Sequence, residues 1–157
     1  MKVVHAVEKD MPGWLELAAE VEYLFGPMVE EPGFIRALEK HINARSAFCI
    51  REQDGPPGAQ LLGGLLFSST HAPVYKLGWL SVNAGARGRG VATTLVRHAF
   101  SGVVRPAEVA VVTFGPDIPD GQPARELYRK LGFRPSADKL PAGPEGGSRQ
   151  KFILQLR

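Results

Sequence analysis

The sequence predicts an α/β (α+β) domain around a mixed central sheet, on three observations. Short β-branched, apolar runs alternate with stretches whose apolar residues recur every three or four positions, the periods of strand and helix. Glycine and proline punctuate nearly every boundary between the two. The chain has 157 residues, 44% hydrophobic and 22% charged, the balance of one globular domain that buries a sizeable core.

Val3-Val7 reads as the first strand. Pro12 opens a helical stretch in which Trp14, Leu15, Ala18, Val21 and Leu24 or Phe25 share one stripe, and Gly26-Pro27 breaks it. A second helix follows Pro32-Gly33, with Phe34, Leu38 and Ile42 in line. Ala47-Arg51 and Leu61-Ser68 are strands joined by the turn-forming run from Gln53 to Gly58. Pro73 ends that hairpin. Val74-Val82 then places Leu80 and Val82 on one face, Trp79 and Ser81 on the other. After a glycine-rich turn, a helix runs from about Gly88 to Phe100, with Val91, Leu95 and Ala99 one turn apart. Glu108-Phe114 is a buried strand. The loop Gly115-Gly121 leads to a helix with Pro123 near its first position and Ala124, Leu127 and Leu131 on its apolar face. Gly132-Phe133 stops it. Phe133-Arg134 and Lys151-Leu156 are the last strands, around the loop Ala142-Gly147. The order is β-α-α-β-β-β-α-β-α-β-β.

Composition narrows the function. No apolar stretch reaches the ~20 residues that cross a bilayer, and the charges at Glu8, Lys9 and Asp10 exclude a signal-peptide core after Met1. The lone Cys49 makes no internal disulfide, which fits a reducing, cytoplasmic compartment. His5, His41 and His98 lack metal spacing, so no metal site is expected. A formal charge of +3 and a pI near 9.2 raise nucleic acid as a partner. The basic residues are scattered, however, apart from Arg87/Arg89/Arg97 and Arg125/Arg129/Lys130, and no aromatic-interleaved basic stripe occurs. A site for one anionic ligand explains the excess better.

Such a site is Leu80-Ser81-Val82-Asn83-Ala84-Gly85-Ala86-Arg87-Gly88-Arg89-Gly90-Val91-Ala92, a strand, a turn of small residues and a helix start. The first amides of a helix have no intrahelical partners and the dipole adds positive charge there. Gly88 and Gly90 let an anion approach the backbone, and two arginines flank it. The alternative is a plain strand-to-helix turn with solvated arginines. A P-loop is excluded because no Gly-Lys-Ser/Thr occurs, and the dinucleotide fingerprint fails because Thr93 stands where its third glycine belongs.

Arg87-Gly88-Arg89-Gly90-Val91-Ala92 resembles the acyl-CoA signature Arg/Gln-x-x-Gly-x-Gly/Ala of the GCN5-related N-acetyltransferases (GNAT). Leu80-Ser81-Val82 is similar to the family's bulged Leu-x-Val strand, and Leu127-Tyr128-Arg129-Lys130-Leu131-Gly132-Phe133 to its second motif, Leu-Tyr-x-x-x-Gly-Phe. The two stand in order and at the family's separation, and the resemblance covers roughly residues 45–157. It implies a GNAT-like domain over 1–157, with a variable acceptor side (1–45) and a CoA-binding core (46–157). The sheet would be mostly antiparallel, of six to seven strands splayed at the CoA site, flanked by about four helices. The implied activity is transfer of the acetyl group of acetyl-CoA, the acyl donor, to a primary amine, by a monomer or homodimer.

The resemblance also implies roles. Leu80, Ser81 and Val82 would line the pantetheine arm as an added strand forms along them, and the Val82 amide would steady the thioester oxyanion. Arg87, Gly88, Arg89, Gly90, Val91 and Ala92 would hold the pyrophosphate, with Thr93 adding a hydroxyl and Lys130 a charge. Tyr128 would protonate the departing thiolate; by position alone it is equally a core aromatic. Family members often carry an asparagine where Gly121 stands, which puts that one pantetheine contact in doubt. The base that takes the amine's proton is left open among Glu108, Asp117, Asp120, His71 and a water that Ser81 positions. Glu30 and Glu31 are candidates to attract a cationic acceptor. Alternative readings are a CoA-binding module without turnover and a basic nucleic-acid-binding protein.

Overall fold

The structure is a computed structural model and describes residues 1–143 and 146–157; the expected loop Ala142-Gly147 thus lies partly outside the described residues. The strands are β1 (Val3–His5), β2 (Ala47–Arg51), β3 (Leu61–His71), β4 (Val74–Val82), β5 (Ala107–Phe114), β6 (Arg134–Pro135) and β7 (Arg149–Leu156). The helices are α1 (Met11–Phe25), α2 (Pro32–Asn43), α3 (Val91–Ser101) and α4 (Gln122–Lys130). One seven-stranded sheet has the order β1-β2-β3-β4-β5-β7-β6. Every neighbouring pair is antiparallel except β4 with β5, which is parallel.

Two boundaries moved for local reasons. β1 stops at His5 because the Val7 amide donates to Asp10 Oδ2 (2.9 Å), starting a 3-10 turn over Glu8–Asp10. α3 starts at Val91, not Gly88, because Gly88 and Gly90 adopt φ of 76° and 79°, which a right-handed helix excludes. α4 ends in a Schellman motif: Phe133 N donates to Tyr128 O (2.9 Å) and Gly132 N to Arg129 O (3.0 Å), with Gly132 at φ 97°.

The sheet is covered on both faces. α1 and α2 bury Trp14, Leu17 and Leu38 against Ala47, Cys49, Leu61 and Leu66. On the other face α3 buries Val91, Leu95, Val96 and Ala99, joined by Tyr128 of α4, against Leu65, Leu77, Val109, Val111 and Phe152. Gly63 and Gly64 of β3 permit both. A Cβ on Gly63 would lie 2.7 Å from Val91 of α3, and one on Gly64 2.5 Å from the Trp14 ring of α1. Consecutive strand residues face opposite sides, so the pair lets a helix close on each. Gly64→Ala is expected to destabilise the fold by about 1–3 kcal/mol, read as a lower denaturation midpoint at constant slope; an unchanged midpoint would show that Trp14 repacks freely.

Candidate active site

β4 and β5 pair only over Val74–Leu77 and Glu108–Val111. Beyond that, β4 stays with β3 as far as Val82 while β5 stays with β7 as far as Phe114. The separation starts at a bulge: Phe67 pairs with Leu77 and Leu66 with Trp79, leaving Gly78 as the extra residue. A bulge bends and twists its strand, and here it turns β4 away from β5.

The splay leaves backbone groups facing the gap. Asn83 N donates to Leu62 O (2.8 Å), in register with Val82 opposite Gly63. Amides alternate in direction along a strand, so those of Ser81 and Trp79 also face β3, while those of Leu80 and Val82 face the gap. On β5, Glu108 N donates toward β4, to Pro73 O (2.9 Å). By the same alternation the amides of Val112 and Phe114 face the gap. The structure thus brings Leu80 and Val82 to the gap and does not bring Ser81: its amide faces β3, and its hydroxyl is buried on the α1 face without a partner.

At the C-terminal end of β4 the chain makes a 3-10 turn (Ala84–Ala86), with Asn83 Oδ1 accepting from Gly85 N (2.9 Å). Arg87 to Gly90 follow, all exposed. Thr94 N is the first helical amide with an acceptor, Gly90 O at 3.0 Å. Val91, Ala92 and Thr93 therefore present amides without intrahelical acceptors. A Cβ on Gly88 or Gly90 would meet nothing within 4 Å. The left-handed backbone and not packing requires glycine there, and the space above is open to an anion.

Tyr128 lies against Phe133 and Phe152, with ring centroids 5.5 and 6.3 Å away, and is 5% exposed. Burial pushes its pKa well above the ordinary phenol range. The phenol therefore keeps its proton at neutral pH. Lys130 is exposed in the last turn of α4.

The candidate bases are spread apart. His71 opposes Val74 at the start of β4, and Glu108, which accepts from Gln155 Nε2 (3.0 Å), opposes Val74 at the start of β5. Both lie at the end of the strands away from the splay. Asp117 and Asp120 follow β5 on the splayed side; both are exposed, and Asp117 accepts from Ser148 Oγ. Glu30 and Glu31 are exposed between α1 and α2.

Side chains whose partners the sequence does not reveal surround the gap. Gly121 cannot be asparagine here, because a Cβ would lie 2.4–2.8 Å from Phe114. Gln122 next to it orders the loop instead, donating from Nε2 to Pro116 O (3.1 Å) and Ile118 O (3.2 Å). Arg125 Nη1 caps Phe114 O (3.0 Å), a carbonyl exposed by the splay, and donates to Gln150 Oε1 (2.6 Å). Glu20 of α1 accepts from Asn83 Nδ2 and Ala84 N, both at 3.3 Å, tying the helix to the turn.

The acetyltransferase (GNAT) family profile matches residues 11–133, most of the chain. The chain belongs to the GNAT family. GNAT structures of the same fold include a ribosomal-protein-alanine N-acetyltransferase from Brucella melitensis (TM-score 0.75, 16% identity, covering 99% of this chain and 100% of that one). A GNAT acetyltransferase from Bacillus cereus ATCC 10987 gives 0.73 at 15% identity, with 99% and 98% coverage. The NatC complex bound to Gag peptide and CoA gives 0.73 at 20% identity, with full coverage of both chains. A comparison with curated protein sequences returned no match. As in the sequence-based expectation, the GNAT sheet is mixed, seven-stranded and flanked by four helices. Among the described residues no helix is long and apolar enough to cross a membrane.

Proposed function

We propose that this GNAT chain transfers the acetyl group of acetyl-CoA to a primary amine by direct attack of the amine nitrogen on the thioester. The observation that carries the reading is the run of unpaired amides at the head of α3 directly after β4, whose Leu80 and Val82 amides face the gap; Tyr128 at the end of α4 is the proton donor in this reading. The donor supplies an activated acyl carbon. Amides of Arg87 to Ala92, with the Thr93 hydroxyl and the flanking arginines, hold its pyrophosphate, and Leu80 and Val82 hold its pantetheine arm by strand addition.

The Val82 N–H donates to the carbonyl oxygen as negative charge grows there. The nitrogen–carbon bond forms, the carbon–sulfur bond breaks, and Tyr128 gives its proton to the sulfur. The amine's surplus proton leaves to water or to a carboxylate on the splayed side, Asp117 or Asp120. Burial raises the phenol pKa, so the proton stays on Tyr128 until the departing sulfur takes it through a close hydrogen bond. Residues 46–157 carry the donor site and 1–45 the acceptor side, in a cytoplasmic enzyme.

A thiol-release assay with a panel of amines tests the reading. Amine-dependent thiol release supports it. Acetyl-CoA binding without turnover for any amine would make the chain a CoA-binding module, and failure to bind acetyl-CoA would end the assignment.

A further inference from the structure

We infer that Gly78 sets the bore of an apolar passage, walled by Trp79, Val112, Phe114 and Phe25, that admits a primary amine carried on an apolar body. The inference rests on the transfer reaction proposed above and names the acceptor class for it.

Leu77 and Leu80 both pack in the core under α3, although strict alternation puts residues three apart on opposite faces. The extra residue of the bulge reconciles them. Gly78 and Trp79 therefore both face α1 and α2, where β4 parts from β5. The Trp79 indole is 5.8 Å from Trp14 and 5.9 Å from Phe34, held between the two helices. Across the gap Val109 and Val111 face α3, so Val112 and Phe114 face the α1 side. The Phe114 ring packs tilted against that of Phe25, the last residue of α1, with centroids 4.8 Å apart. Val112, at the first position of β5 beyond the pairing with β4, is 47% exposed.

The four walls hold no carboxylate and no amide side chain, and their one side-chain polar atom, Trp79 Nε1, is buried; the Arg149 guanidinium lies over the Phe114 and Phe25 rings, 4.6 and 6.0 Å from their centroids. A second ammonium would lose its water here without gaining a carboxylate from these walls, whereas an apolar body gains by leaving water. Behind Phe114, Arg125 is 3% exposed and has no carboxylate partner among the described residues. A buried cation at this end repels a polycationic acceptor.

Gly78 is glycine for neither backbone nor packing. Its φ is not positive, and a Cβ there would come no nearer than 3.8 Å to Leu66 O. The fold accepts a side chain at 78; the passage does not. In wild-type protein, kcat/KM for 2-phenylethylamine is expected to exceed that for spermidine by about tenfold or more. In Gly78→Val the ratio of kcat/KM for 2-phenylethylamine to that for ethylamine falls about tenfold, through KM, at unchanged acetyl-CoA Kd and melting temperature. Titrating 2-phenylethylamine into CoA-saturated protein reads the same loss without turnover. Should the valine variant not fold, Gly78→Ala reports the same direction with a smaller fall. An unchanged ratio in a folded variant that binds CoA, or a wild-type preference for spermidine, overturns the passage and leaves the transfer reaction standing. Absence of acetyl-CoA binding to wild-type protein overturns both.

Discussion

Tyr128→Phe is expected to lower kcat by about a hundredfold while the Kd for acetyl-CoA and the melting temperature hold. The phenol is buried and its raised pKa has desolvation as the named cause, with no hydrogen bond offsetting it. No hydrogen bond offsets the desolvation of this hydroxyl, so its removal costs little stability and loss of folding does not confound the comparison. The ring contacts with Phe133 and Phe152 survive in phenylalanine. What disappears, under the proposed mechanism, is the proton given to the departing sulfur, and an undonated thiolate is a poor leaving group. Because the pKa is raised, the phenol stays protonated through the neutral and mildly alkaline range, so wild-type kcat should show no alkaline decline below the ordinary phenol value of about 10. A kcat within twofold of wild type would reduce Tyr128 to a core aromatic.

The parts of the site legible in the sequence are those fixed within a few residues. Gly88 and Gly90 announce left-handed backbone at a helix head, and Leu127 to Phe133 announce a helix closed by a Schellman turn. The alternation of Leu80 and Val82 against Trp79 and Ser81 was equally local and holds in the packing: Leu80 and Val82 join the α3 core and Trp79 the α1 and α2 cores. Long-range register was not legible. Gly78 becomes a bulge only because β3 pairs Phe67 with Leu77 and Leu66 with Trp79. Gly121 looked like a lost contact, yet Phe114 seven residues earlier fills the space and Gln122 takes over the loop. Arg125 stood in sequence only as part of a basic group with Arg129 and Lys130; its bond to Phe114 O, across eleven residues, puts it at the end of β5. His71 and Glu108 lie where β4 and β5 begin, and only the sheet register shows that this end is opposite the splay.

Removing the Asp10 carboxylate is expected to cost about 3–5 kcal/mol of stability, the largest effect of any single substitution outside the hydrophobic core. Asp10 is fully buried and accepts four hydrogen bonds: from Arg51 Nε (3.0 Å) and Nη2 (2.8 Å), Val7 N (2.9 Å) and Gly58 N (3.1 Å). It thereby ties the turn before α1 to the end of β2 and to the connection into β3. Asp10→Ala strands the Arg51 guanidinium, itself 9% exposed, without a counter-charge. Burial alone would raise the Asp10 pKa, but the Arg51 hydrogen bonds and the Val7 and Gly58 amides outweigh it and hold the pKa below the usual value. The sign follows. A depressed folded pKa stabilises fully above the unfolded value of about 3.9 and loses that contribution as pH falls through the folded pKa. Wild-type unfolding free energy should therefore drop as acid is added below about pH 4, while Asp10→Asn lacks this part of the drop. Urea denaturation of both proteins across that window measures it. Parallel pH curves, or an Asp10→Ala midpoint equal to wild type, would mean the pair merely offsets its own desolvation. Because Asp10 lies outside the gap between β4 and β5, the folded fraction of Asp10→Asn should bind acetyl-CoA as wild type does; this variant loses stability and keeps the site, whereas Tyr128→Phe keeps stability and loses kcat.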